Sequence, residues 1–271
     1  MPQVAVRTGV TLNCEISGEG EPLLLIMGTS GAIGLWSDTI SRLAEHYRVI
    51  AFDNRGLGGS ERGKGRLTVA SMAEDAAALL QALEVPKAHL LGWSLGSAIA
   101  QELALEYPEL VGSAVLYSTW ARCDGFQRSV LAALRHPYAT GDIETAMITS
   151  GLAFSPQILD RADFAELLEP VLPAFPQNEA QVAVTVEQWD ADLEHATLER
   201  LGGITVPTLV VVGEQDLLTP PWQAKVVADR IPGARYELLT GPGSSHCLHL
   251  ERTDDLLRVV TGFLDEHRLA S

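Results

Sequence analysis

The amino-acid sequence predicts an α/β fold, in which a mostly parallel sheet is flanked by helices and interrupted by one helical insertion. Short, near-continuous apolar runs alternate with longer segments of helical period along most of the 271 residues. This alternation is typical of parallel strands joined by crossover helices. Between residues 122 and 195 no strand-like run occurs, and prolines punctuate helical segments. That break predicts the insertion.

The chain begins with a different pattern from the one that follows. Residues 4–6 and 10–16, divided at Gly9, predict a hairpin that precedes the parallel part of the sheet. The next apolar runs lack polar alternation, which favours strands buried on both faces, as in parallel sheets. These strands are predicted at residues 23–27, 49–52, 89–92, 114–117 and 208–212, and a further one at 235–239.

Helices are predicted from apolar residues that recur at helical spacing. The first extends from Trp36 to Tyr47, the second from Val69 to Leu83, and a third opens after residue 94 and ends near Tyr107. Two more follow the 208–212 strand, one near residues 222–231 and a last one whose apolar face carries Leu256, Leu257, Val260, Phe263 and Leu264.

We expect one domain with an excursion. The core comprises residues 1–121 and 196–271, and residues 122–195 form the insertion, with helical segments such as 163–168 and 180–189. One domain suits the length, since a chain of this size forms one large domain or two small ones.

Composition limits the possible partners. The chain is 46% hydrophobic and 20% charged, as globular proteins are. Its 19 Lys and Arg against 35 Asp and Glu give a net charge of −16, which repels phosphate backbones and anionic lipids. We therefore expect a small-molecule substrate and neither a nucleic-acid nor a membrane partner. No 18-residue apolar window and no leader pattern occur, which predicts a soluble, cytoplasmic protein. The sequence does not specify the oligomeric state.

The cysteines indicate neither a disulfide framework nor a zinc site. Cys14, Cys123 and Cys247 are odd in number, widely spaced and free of any Cys-x-x-Cys pattern. We expect reduced thiols, no metal and no cofactor.

One motif carries chemistry. Gly92-Trp93-Ser94-Leu95-Gly96 follows a predicted strand and opens a predicted helix. This is the strand-turn-helix context of a Gly-x-Ser-x-Gly nucleophile elbow, whose sharp turn leaves no room for side chains at the glycine positions. The alternative for Ser94 is a helix N-cap, the commoner role of a serine at a helix start.

A serine nucleophile needs a histidine base and a carboxylate that orients it. Asp216 lies just past the 208–212 strand, and His246 lies in the loop after the 235–239 strand. The chain order Ser, Asp, His is the one found in α/β-hydrolases. Two alternatives stay open: His249, which lies between two leucines and suits a packed histidine, and Asp124, which follows the 114–117 strand.

The chain resembles the α/β-hydrolase superfamily along nearly its whole length. The resemblance is carried by the motifs at residues 27–29, 53–60, 92–96, 207–216 and 245–251. It implies the α/β-hydrolase fold, a catalytic triad of Ser94, His246 and Asp216, and a helical cap at 122–195. A finer similarity is to enol-lactonase-like and polyketide methyl-esterase-like hydrolases.

The sequence departs from this family after the third strand. Relatives often have His-Gly there, whereas this chain has Met27-Gly28. The resemblance implies that the backbone amides of Thr29 and Leu95 form the oxyanion hole, and a backbone donor does not depend on side-chain identity. The departure leaves open what holds the loop rigid in place of the histidine. The elbow's trailing Gly-Gly is also replaced, by Gly96-Ser97.

Three tryptophans are candidate substrate contacts. Trp93 adjoins Ser94, Trp120 leads into the insertion and Trp189 lies within it. Ligand pockets are largely apolar and aromatic, although tryptophans are equally ordinary core residues.

These observations predict a serine hydrolase that cleaves a carboxylic ester or lactone of a medium-sized apolar small molecule through an acyl-enzyme. The same triad supports C–C bond hydrolysis, perhydrolysis, acyl transfer or lyase-type chemistry in other pockets. A non-enzymatic receptor for a small ligand is the alternative from a different class.

Overall fold

The computed structural model describes residues 2–269. Eight strands form one sheet in the order β1-β2-β4-β3-β5-β6-β7-β8. The first strands, β1 and β2, pair antiparallel, β2 also pairs antiparallel with β4, and every later pairing is parallel. The strands are β1 Gln3–Ala5, β2 Thr11–Ser17, β3 Glu21–Ile26, β4 Tyr47–Phe52, β5 Ala88–Trp93, β6 Val111–Tyr117, β7 Thr208–Gly213 and β8 Arg235–Leu239.

The central strands are buried because helices cover both faces of the sheet. Every residue of β5 and of β7 is buried, whereas the edge strand β8 is partly exposed. The burial and the parallel pairing of these strands confirm the prediction made from continuous apolar runs. The predicted hairpin is also present, as β1 and β2.

Within residues 2–269 and outside the insertion lie the five predicted helices, together with a short one after β8. They are α1 Ser37–Leu43, α2 Val69–Ala82, α3 Leu95–Glu106, α9 Pro221–Arg230, α10 Leu248–Glu251 and α11 Thr253–Glu266. Apolar residues of α2, α3 and α9 form the core on one face of the sheet. Those of α1 and α11 form the core on the other face.

One predicted boundary is wrong. Tyr47 was expected to close the first helix, but α1 ends at Leu43 and Tyr47 is the first residue of β4, opposite Glu21 of β3. Its side chain is buried, as it would also be on the inner face of a helix. Tyr47 therefore continues the helical spacing of α1 in the sequence but belongs to β4 in the structure. A single buried residue fits either period, and pairing with β3 decides its conformation.

The segment between β6 and β7 is helical. Its helices are α4 Gly125–Thr140, α5 Ile143–Ser150, α6 Pro156–Leu159, α7 Phe164–Leu168 and α8 Glu179–Glu194. An antiparallel bridge joins Arg122 to Ala196, where this segment leaves the sheet and returns to it. The Thr197 N–H donates to the carbonyl of Ala121 at 2.9 Å. These contacts agree with the division at 122–195, which stays a prediction.

Within residues 2–269, no helix combines the length and the hydropathy that spanning a bilayer requires. Cys14, Cys123 and Cys247 are all buried free thiols.

Candidate active site

Ser94 lies at the junction of β5 and α3. Its backbone has φ 54° and ψ −121°, a sparsely populated conformation for a residue that carries a side chain. Its side chain makes no cap hydrogen bond to α3. Ser94 is thus placed by a strained turn and does not act as an ordinary N-cap.

The glycines of the motif are required by close backbone approach. A Cβ atom at Gly92 would lie 2.2 Å from the carbonyl oxygen of Gly96, and one at Gly96 would lie 2.0 Å from that of Ile26. A Cβ atom at Gly28 would lie 3.0 Å from the Trp93 ring. The loop after β3 therefore lies directly against the turn that carries Ser94.

Asp216 and His246 form a buried pair. The Nδ1 atom of His246 lies 2.9 Å from Oδ2 and 3.0 Å from Oδ1 of Asp216. Asp216 also accepts hydrogen bonds from the N–H groups of Leu218 and Thr219 and from the Thr219 hydroxyl, each at 2.9 Å. These donors fix the carboxylate, which in turn fixes the imidazole through Nδ1 and leaves Nε2 for another partner.

The main chain of His246 is held from the sheet. Its carbonyl oxygen accepts a hydrogen bond from the Trp93 indole N–H at 2.9 Å and one from the Tyr117 hydroxyl at 2.7 Å. The sequence did not point to Tyr117, because no pattern links residues 129 positions apart.

The alternative base and the alternative acid have other hydrogen-bond partners. His249 is buried, its ring centroid is 4.3 Å from that of Trp93, and Nδ1 lies 3.2 Å from the Tyr117 hydroxyl. Burial lowers the pKa of His249 to about 3, so the ring is neutral at ordinary pH. Asp124 caps α4, where it accepts from the Gln127 N–H at 2.8 Å and the Trp222 indole at 3.0 Å. The carboxylate bonded to His246 is Asp216.

Ser94 and His246 line one cavity of about 650 Å³, including the part that is open to solvent. Its other lining residues among 2–269 come from the core and from the helical insertion, and none of these is Lys, Arg, Asp or Glu. They are Thr29, Ser30, Leu35, Trp93, Leu134, Tyr138, Ala146, Ser150, Ala153, Phe154, Phe175, Trp189, Leu218, Cys247 and Leu250. The apolar walls are those of a small-molecule site.

The three candidate tryptophans fall in two places. Trp93 and Trp189 line the cavity. Trp120 is 1% exposed and lies outside the lining, with its ring centroid 5.5 Å from that of His195. Its indole fills the core beneath the insertion instead.

The backbone N–H groups of Leu95 and Thr29 are not used within the described helices or strands. Leu95 is the first residue of α3, so its N–H has no intrahelical acceptor. Thr29 lines the cavity, and its N–H donates no hydrogen bond within residues 2–269. The two residues that the resemblance implies for an oxyanion hole are therefore both near Ser94, one next to it in the chain and one in the same cavity lining. The described part of the chain holds no cluster of His, Cys, Asp and Glu side chains suited to a metal ion.

Comparisons with known proteins agree with this architecture. Residues 21–253 match the family described as alpha/beta hydrolase fold. The chain is 33% identical over 255 residues to "Putative carbamate hydrolase RutD" of Azorhizobium caulinodans, covering 93% of this chain and 94% of that protein. It is 32% identical over 266 residues to "Putative non-heme bromoperoxidase BpoC" of Mycobacterium tuberculosis, covering 90% and 94%.

A solved structure is similar over almost the whole chain. The enol-lactonase from Burkholderia xenovorans LB400 superposes with a TM-score of 0.87 at 26% identity, covering 97% of this chain and 100% of the other. The family match at residues 21–253 covers most of the sequence. The similar structure covers the same sheet and the turn that carries Ser94. The chain belongs to the α/β-hydrolase fold family.

Proposed function

We propose that the chain is a serine hydrolase that cleaves a carboxylic ester or lactone of a medium-sized, uncharged small molecule. One observation carries the proposal: Ser94 and His246 line the same apolar cavity, while Asp216 holds the other side of the His246 ring. Nucleophile, base and orienting acid are thus supplied by side chains alone.

In the first half of the reaction, the Ser94 hydroxyl attacks the substrate carbonyl carbon and His246 Nε2 takes its proton. The negative charge that develops on the carbonyl oxygen is stabilised by the N–H groups of Thr29 and Leu95. The C–O bond to the leaving alcohol then breaks, and His246 returns the proton to that alcohol. Ser94 now carries the acyl group as an ester.

The second half repeats these steps with water. His246 takes a proton from a water molecule, the resulting hydroxide adds to the acyl carbon, and the same two amides hold the new oxyanion. The bond to Ser94 breaks, the serine regains its proton, and the carboxylic acid leaves. Asp216 keeps the imidazole in the tautomer that both halves require.

The walls of the cavity support an uncharged substrate. A substrate carboxylate would lose its hydration there without meeting a Lys or Arg side chain among the described lining residues. Phe154, Phe175 and Trp189 supply apolar surface of the kind that binds alkyl or aryl groups. Relatives named for carbamate hydrolysis and for an enol-lactone support chemistry at a carbonyl carbon.

The experiment compares p-nitrophenyl butyrate with p-nitrophenyl hemisuccinate, which adds a carboxylate at similar length, in ¹⁸O-labelled water. We expect kcat/KM to be at least about tenfold higher for the butyrate. The butyric acid released should carry one ¹⁸O atom, and Ser94→Ala should lose about 10⁶-fold in kcat.

Other outcomes would identify other functions. If Ser94→Ala released labelled acid as fast as the wild type, Ser94 could not be the nucleophile. Ligand binding without turnover on any ester would favour the receptor alternative, and release of peroxybutyric acid when hydrogen peroxide is present would favour perhydrolysis.

A further inference from the structure

The loop after β3 is attached to helix α8 by two hydrogen bonds. The Thr29 hydroxyl donates to Asp192 Oδ2 at 2.6 Å, and the Ser30 N–H donates to Gln188 Oε1 at 2.8 Å. The two acceptors are four residues apart, so they project from the same face of α8. The bonds join positions 163 and 158 residues apart in the chain. The insertion thus contacts the loop that carries the Thr29 amide.

Both acceptors are deeply buried. Gln188 is 0% and Asp192 is 1% exposed. Within residues 2–269 no cation pairs with Asp192, and its Oδ1 atom has no hydrogen-bond partner. Burial raises the pKa of the Asp192 carboxyl to about 7. An acid with so few partners weakens a fold, and such exceptions to good packing concentrate at functional sites.

The loop requires a restraint. Ser30 has φ 63°, in the left-handed region that disfavours residues with a side chain. The position where related sequences often carry a histidine is Met27, which is fully buried and has no N–H or O–H in its side chain. Its carbonyl accepts from the Asn54 amide at 3.1 Å, which fixes the start of the loop only.

We propose that Asp192 and Gln188 are positioning residues, which hold the backbone of Thr29 so that its N–H faces the carbonyl oxygen of a substrate at Ser94. The inference rests on the proposed function, because it takes that N–H as an oxyanion donor. The hydroxyl bond fixes the Thr29 side chain, and the Ser30 bond fixes the peptide that follows. Together they restrict rotation at Thr29, and the oxyanion hole becomes dependent on the insertion.

The test separates transition-state from ground-state binding. Thr29→Val removes the hydroxyl, keeps the side-chain shape and leaves the backbone N–H in place. For p-nitrophenyl butyrate we expect kcat to fall about tenfold with KM within about twofold, as for one lost hydrogen bond. The affinity for an alkyl trifluoromethyl ketone, which adds the serine oxygen to give an oxyanion, should fall by the same factor. Thr29→Ser, which keeps the hydroxyl, should rescue both values.

A double-mutant cycle tests whether the two residues act through each other. Asp192→Ala should lower kcat and ketone affinity as Thr29→Val does, and the double variant should lose little beyond the larger single loss. Thr185→Val is the matched control, since Thr185 is a buried threonine of the same helix whose hydroxyl, as far as residues 2–269 show, bonds only to the Gln181 carbonyl. It should keep wild-type kcat and ketone affinity. If Asp192→Ala does not fold, the Thr29 variants decide.

Two results would overturn the inference. One is a folded Thr29→Val protein with wild-type kcat and ketone affinity, and the other is a double variant whose losses multiply. Fluorophosphonate labelling of the wild type distinguishes the two proposals. If Ser94 is labelled and Thr29→Val behaves as wild type, only this inference fails; if Ser94 is not labelled, the proposed function fails and this inference with it.

Discussion

The indole N–H of Trp93 donates a 2.9 Å hydrogen bond to the main-chain carbonyl of His246. Trp93 immediately precedes Ser94, so the residue that enters the turn at Ser94 also fixes the backbone of the proposed base. Tyr117, at the end of the neighbouring strand β6, donates to the same carbonyl. The relative placement of Ser94 and His246 therefore depends on two adjacent strands of the sheet, although His246 itself lies in a loop.

The Trp93 hydrogen bond should contribute measurably to turnover. Trp93→Phe removes the donor and keeps an aromatic ring, while Tyr117 still holds the carbonyl. We expect kcat/KM for p-nitrophenyl butyrate to fall about tenfold, the equivalent of one hydrogen bond of about 1.4 kcal/mol. Trp222→Phe is the control, because Trp222 is 51% exposed and lies outside the cavity lining. Equal rates for the two variants would show that the Trp93 bond does not position the base.

The two candidate acids should differ sharply. Asp216→Asn would leave His246 Nδ1 facing an amide and favour the wrong tautomer, so we expect kcat to fall by about 10³ to 10⁴. Asp124→Asn should retain activity, since Asp124 caps α4 and bonds to Trp222. Steady-state kinetics of both variants, with thermal melting to verify folding, checks this expectation. A larger loss of kcat in Asp124→Asn than in Asp216→Asn would indicate that Asp124 is the acid.

His249 should make the fold sensitive to acid. Its pKa is lowered to about 3 from 6.5, so the folded protein binds this proton less readily than the unfolded chain. The stabilising contribution is complete above pH 6.5 and is lost as the pH falls towards 3. Between pH 6.5 and 5 the loss amounts to about 2 kcal/mol, at 1.36 kcal/mol for each unit.

Urea unfolding of wild type and His249→Gln at pH 7 and pH 5 measures this contribution. The free energy of unfolding should fall less in the variant between the two pH values. His46→Gln, at an exposed position, is the control and should follow the wild type. Identical pH dependence in all three proteins would mean that His249 takes up its proton as easily in the folded state as in the unfolded chain.

Much of the fold follows from local pattern. Strand β8 has the predicted bounds, and the buried strands appear where apolar runs without alternation occur, because burial on both faces leaves that signature in the sequence. The elbow was predictable for a steric reason. Only glycine fits at positions 92 and 96, because a Cβ atom there would clash with nearby backbone. The prediction for Tyr47 was wrong because a single buried residue does not distinguish the helical period from the strand period.

The supporting contacts of the site were not predictable in this way. Asp192 and Gln188 lie on a helix whose acidic and amide residues look solvated, and only the tertiary fold places them beside Thr29. Trp93 illustrates the same limit. Sequence reasoning proposed it as a substrate contact, and it lines the cavity, yet its hydrogen bond to His246 depends on a loop 153 residues away.

The nucleophile assignment is tested most directly by intact-mass analysis after treatment with a fluorophosphonate. We predict that the wild type gains one phosphonyl group, that peptide mapping places it on Ser94, and that Ser94→Ala gains none. Ser129→Ala, a control at an exposed serine of α4, should be labelled like the wild type. Labelling of Ser94→Ala at the wild-type rate, or a folded wild type that stays unlabelled, would contradict the account.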